Sequence, residues 1–89
     1  MSILNDIVEC YSDEKIWKAD GFDNAVLGIE DNSMRLIYSV AKIISILKKE
    51  GMSEIDAIEH FNYNIKGSMF TNDEGELVTP IYCDDYFFA

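Results

Sequence analysis

Apolar residues recur at helical spacing at the start of the chain: Ile3, Leu4, Ile7, Val8 and Tyr11. That stripe predicts a short amphipathic helix over about 3–11. A helix of this length does not hold alone in water, so the stripe must dock on something, on the outside of the domain or on a partner. Residues 12–24 show no period and are punctuated by Gly21. Ala25–Glu30 and Met34–Tyr38 then read as two strands around the turn residues Asp31, Asn32 and Ser33. They predict a hairpin near 25–38.

Val40, Ile43, Ile44 and Leu47 switch the period to 3.6 and predict a helix over about 39–50. Lys48 and Lys49 suit the negative end of its dipole, and Gly51 suits the position just past its end. Ser53 and Asp56 have capping-box spacing, with Asp where Glu is preferred. They open a second helix over about 53–66, ending at Gly67. Its expected buried face is Ile55, Ala57, Ile58, Phe61 and Ile65. Asn72-Asp73-Glu74-Gly75 is a turn signal between Ser68–Thr71 and Leu77–Thr79, which predicts a second hairpin. Pro80 lacks an N–H donor and belongs at a strand edge or end. Ile81-Tyr82-Cys83 completes a C-terminal strand near 77–83.

These elements predict one α+β domain over residues 1–89. A small antiparallel sheet packs against two consecutive helices, with a short helix in front. Eighty-nine residues suffice for one modest core. The apolar fraction of 48% is that of an ordinary globular chain, so the strong acidity does not imply disorder.

Charge changes the picture more than composition does. Residues 1–31 hold eight acids against Lys15 and Lys18, and residues 50–89 hold nine acids against Lys66. Between them, residues 32–49 hold Arg35, Lys42, Lys48 and Lys49 and no acid. The net charge of −10 argues against direct binding of nucleic acid or of an anionic membrane, since both require positive surface. It favours a basic partner. No run of residues approaches the length of a membrane span, and no positive n-region opens the chain, so no signal peptide is expected. Cys10 and Cys83 fit no metal spacing, and free thiols in a reducing cytoplasm are the expectation.

Two blocks carry a family likeness. The first is Gly21-Phe22-Asp23-Asn24-Ala25-Val26-Leu27-Gly28 with Arg35-Leu36-Ile37-Tyr38-Ser39-Val40. The second runs from Gly51-Met52-Ser53 through Ala57-Ile58-Glu59-His60-Phe61 and Asn64 to Thr79-Pro80-Ile81. Over about residues 21–82 the chain resembles a family of small uncharacterised proteins of bacteriophages and related mobile elements. The pattern departs from that family at Ser68–Val78, where the relatives have a shorter glycine-containing link. The resemblance implies a host-directed or anti-defence role and carries no catalytic residues with it; the expected location is the host cytoplasm.

Residue chemistry points the same way. His60 is the only histidine, and pairing with Cys10 or Cys83 would be needed to activate a thiolate; its place beside Phe61 reads as a boundary histidine. The doublets Asp13/Glu14, Glu30/Asp31, Asp73/Glu74 and Asp84/Asp85 do not converge on one point by themselves, because neighbours on a strand face opposite ways. The glycines form no phosphate loop. Trp17, Phe22, Tyr63, Tyr82, Tyr86, Phe87 and Phe88 divide between closing the core and forming an interface.

The expected function is that of a small acidic interaction protein, not an enzyme and without a cofactor or metal. It would inhibit a host defence complex, in the manner of an anti-CRISPR protein, or another nucleic-acid-binding protein by occluding its basic surface. The candidate partner-binding residues are Asp13, Glu14, Trp17, Asp20, Asp73, Glu74, Asp84, Asp85 and Tyr86. The alternatives are a non-inhibitory structural or regulatory homodimer, and a small enzyme or ligand-sequestering protein.

Overall fold

Secondary structure follows the hydrophobic pattern closely in the first two-thirds of the chain. The computed structural model describes residues 3–19, 21–66, 71, 73–76 and 78–87. Its order is α1 (Ile3–Cys10), a 3₁₀ turn (Asp23–Ala25), β1 (Val26–Glu30), β2 (Arg35–Ser39), α2 (Val40–Lys49), α3 (Glu54–His60), a π-helical turn (Phe61–Ile65) and β3 (Ile81–Cys83). The predicted α+β fold is present: helices and a small three-stranded sheet around one core.

The β1–β2 hairpin is antiparallel, and one residue, Leu27, is bulged between the pairs Val26–Tyr38 and Gly28–Ile37. Its turn is held by the Glu30 carboxylate, which accepts from the backbone N–H groups of Asn32 and Ser33 at 3.0 Å each and from the Ser33 hydroxyl at 2.9 Å. Leu36 and Tyr38 project from β2 into the core and are fully buried. Val40, Ile43, Ile44 and Leu47 meet them from α2, at the spacing that puts all four on one side of a helix.

The link between α2 and α3 is a Schellman closure. Met52 N–H donates to the Leu47 carbonyl at 3.3 Å and Gly51 N–H to the Lys48 carbonyl at 3.0 Å. Gly51 has φ +106, a conformation that a side chain would strain. Ser53 then caps α3, its hydroxyl accepting from Asp56 N–H at 3.1 Å.

Four expectations are corrected. The sheet is mixed, not antiparallel: its order is β1-β2-β3, and β3 runs parallel to β2 with Ile37–Ile81, Tyr38–Tyr82 and Ser39–Cys83 in register. The long connection through both helices and on to Ile81 lets the chain re-enter the sheet from the end where β2 began, which parallel pairing demands. The C-terminal strand is also shorter than 77–83, because Thr79 and Pro80 are buried as strand approach and Pro80 cannot donate to a ladder.

The second helix is not α-helical throughout, since its last turn widens to π. Ile55 does not join the buried face and is 66% exposed, because it lies two residues from the buried Ala57 and so on the far side of the helix. The predicted hairpin over 68–79 and the helix end at Gly67 lie largely outside the described residues, although Glu74 sits in a turn and Gly75 has the positive φ, +81, of a turn glycine.

The front helix docks within the domain. Leu4 and Ile7 are buried against β1 and the 3₁₀ turn, and Tyr11 packs at the margin. The irregular segment that follows is tied to the central strand where Ala19 N–H donates to the Tyr38 hydroxyl at 2.8 Å. Tyr38 thereby buries its ring and still satisfies its polar tip. Tyr38→Phe should cost about 1–2 kcal/mol by leaving that N–H without its acceptor. Urea denaturation measures it, and an unchanged midpoint would remove this tether from the account.

Candidate functional site

The C-terminal strand delivers the tail 84–87 across the ends of both long helices, and three candidate residues meet there. Ser39 ends β2 and caps α2, its hydroxyl oxygen accepting from Lys42 N–H at 3.1 Å. The same hydroxyl donates to Asp85 Oδ2 at 2.6 Å. Asp85 Oδ1 accepts from Ala41 N–H at 2.8 Å. Asp85 is thus a second capping group on α2, placed where a negative charge meets the positive end of the helix dipole. Burial pushes its carboxyl upward, but the Ala41 N–H, the Ser39 hydroxyl and the Lys42 charge outweigh that and hold it below the ordinary aspartate value.

Tyr86 continues the tail onto α3, where its hydroxyl donates to Glu54 Oε1. That bond, aided by burial and the Glu54 charge, raises the Tyr86 phenol above its ordinary value. Glu54 also lies 4.0 Å from Lys48 Nζ, so the tail, α3 and the end of α2 share one polar junction.

Beneath Asp84 and Tyr86 lies a groove of about 230 Å³. Val40, Ile44, Ile58, Phe61 and Tyr82 line it with apolar surface, and Asn62, Lys66, Asp84 and Tyr86 bring polar groups to it. Phe61 and Tyr82 meet edge to face, with ring centroids 5.3 Å apart and planes at 85°. Burial raises the Tyr82 phenol. A second depression of about 340 Å³ lies along α2, between Ala41, Ser45, Lys48 and Lys49, with Ile44 and Tyr86 common to both. Phe61 and Asn62 belong to the π-helical turn, a distortion that often accompanies a functional surface because it shifts side chains out of α-helical register.

The other candidates lie elsewhere. Asp13 and Glu14 are exposed after α1, and Asp73 and Glu74 are exposed in the later turn. Trp17 is half-buried with Lys15 Nζ 5.0 Å from its ring centroid, a local cation–π contact. Asp20 lies outside the described residues. Among the described candidates, Asp85 and Tyr86 engage α2 and α3 at one junction, and Asp84 precedes them in the tail. His60 contacts Asn64 on its own helix, its Nδ1 3.3 Å from the amide nitrogen, and Cys10 and Cys83 are free and exposed. No cluster of three metal-ligating side chains is found among the described residues. No described helix is long and apolar enough to cross a membrane.

Sequence reasoning missed Asn62, Lys66, Ile44 and Val40 as groove residues. Their signal in the sequence is helical periodicity, which reports core and groove wall alike. Comparison with protein-family models, with curated proteins and with solved structures finds no match.

Because the folded carboxyl of Asp85 titrates below its unfolded value, its stabilisation is complete above that unfolded value, near pH 4, and is lost as pH falls through the folded one. Asp85→Ala should cost about 1 kcal/mol at neutral pH, toward the low end for a cap because the group faces solvent. The gap to the parent protein should close as pH falls below about 4. Urea midpoints at neutral and acid pH test this, and a gap that persists unchanged in acid would assign the cost to packing alone.

Proposed function

We propose that this chain is a non-enzymatic interaction protein that occludes a basic surface on a nucleic-acid-binding protein of its host. In this reading it is a phage or mobile-element product, it acts in the host cytoplasm, and its target is a defence complex. One observation carries the reading: the acid excess is held outward. The chain has 17 acids against 7 lysines and arginines. The scaffold uses Glu30, Glu54, Asp85 and Asp23, while Asp13, Glu14, Glu59, Asp73 and Asp84 stand exposed.

Basic residues engaged within the chain, Arg35 and Lys18 among them, support the same reading from the other side. Arg35 donates from Nε to the Thr79 carbonyl at 2.6 Å, and Lys18 lies 3.6 Å from Asp23. A rigid body with uncompensated outward acids resembles a polyanion to a basic groove and would compete with nucleic acid for it. The resemblance to phage proteins supports the choice of a host defence target over other nucleic-acid-binding proteins.

Tagged protein incubated with nuclease-treated bacterial lysate should retain nucleic-acid-binding proteins at about 0.1 M salt and release them toward about 1 M, where charge is screened within a few ångströms. Duplex DNA added to the retained fraction should displace the chain. Retention that ignores both salt and DNA, or no retention at low salt, would overturn the reading.

A further inference from the structure

Exposed acids explain attraction to a basic surface but not a fixed docking position. The groove beneath the tail supplies one. We infer that it receives a single arginine side chain of the basic partner, an inference that rests on the proposed function and sharpens it.

The argument begins with size. A volume of about 230 Å³ equals the share of roughly seven or eight water molecules, which leaves room for one long side chain. Chemistry decides which side chain. Ile44 and Ile58 in the groove lining suit an aliphatic stem. Phe61 and Tyr82 both belong to the same lining, so an inserted planar cation meets aromatic surface there. Asp84 lines the same groove with an exposed carboxylate, while its neighbour Asp85 is engaged in capping α2. A guanidinium can stack on a ring and pair in plane with a carboxylate, which an ammonium cannot do. Lys66 also lines the groove, and its charge opposes a cationic head that is not paired with Asp84. The net charge of −10 makes the whole surface attractive to such a group.

The probe is N-acetyl-arginine amide, titrated into isotopically labelled protein and followed by NMR. Its uncharged counterpart, N-acetyl-norleucine amide, is the control. Arginine amide should shift the resonances of Ile44, Ile58, Tyr82 and Tyr86 saturably, and norleucine amide should bind at least about fivefold more weakly. Asp84→Asn should weaken the arginine ligand by about fivefold and Lys66→Met should strengthen it, each with an unchanged urea midpoint. Asn62→Trp, which fills the groove from an exposed position, should abolish the shifts.

Equal binding of norleucine amide would make the groove a plain apolar pocket. The opposite response of the two charge variants would make it an anion site. Shifts confined to Asp13, Glu14 and Glu74 would place the cation on the general acidic surface. Each of these overturns the arginine assignment and leaves salt-sensitive capture of basic proteins intact, whereas loss of that capture in the parent protein defeats the proposed function itself.

Discussion

The hydroxyl of Ser39 joins three parts of this molecule. Ser39 is fully buried, ends the central strand, pairs in register with Cys83 of β3 and caps α2. A buried hydroxyl must be satisfied both as donor and as acceptor, and here it donates to Asp85 and accepts from Lys42 N–H. Strand, helix and tail are therefore fixed at one point. β3 is only three residues long and too short to hold by its ladder alone. The Asp85 carboxylate just beyond it converts a weak strand into an anchored one, and Arg35 grips its approach at Thr79. The groove exists because this anchoring lays Asp84 and Tyr86 over the helices.

Local signals made the hairpin and the helix–Gly51–helix unit legible, because their determinants are close in sequence. Turn residues sit between two β-prone runs, and a glycine with positive φ closes α2 within five residues of the carbonyls it satisfies. The direction of β3 was not legible. Parallel and antiparallel pairing use the same alternation of residues, and only the path of the connection separates them. The π-helical turn left no trace either, since a single widened turn keeps the apolar residues Phe61 and Ile65 on nearly the same side. Ile55 faces solvent because its angle about the helix axis, set against Ala57, decides its side and its apolarity does not.

The site was legible as chemistry and illegible as geometry. Asp84 and Asp85 are the same residue type in adjacent positions, yet one lines a groove and the other caps a helix. The difference arises from the direction in which the tail leaves β3, which depends on a strand pairing made far away in sequence. Trp17 illustrates the converse: its contact with Lys15 is local, so a residue read as an interface anchor already has a neighbour over its ring.

Charge segregation along the chain acquires a physical reason in this arrangement. A net charge of −10 on so small a body works against compaction through self-repulsion. The basic block between residues 32 and 49 offsets it where the fold is assembled. Arg35 faces Glu30 across the hairpin, Lys42 lies near enough to Asp85 to lower its carboxyl, and Lys48 reaches Glu54 across the α2–α3 turn. Each cation of the block named here neutralises an acid that the scaffold itself uses. Other acids of the flanking segments, Asp13, Glu14, Glu59, Asp73 and Asp84, are left to face solvent, so the same distribution that permits folding leaves the outer surface negative.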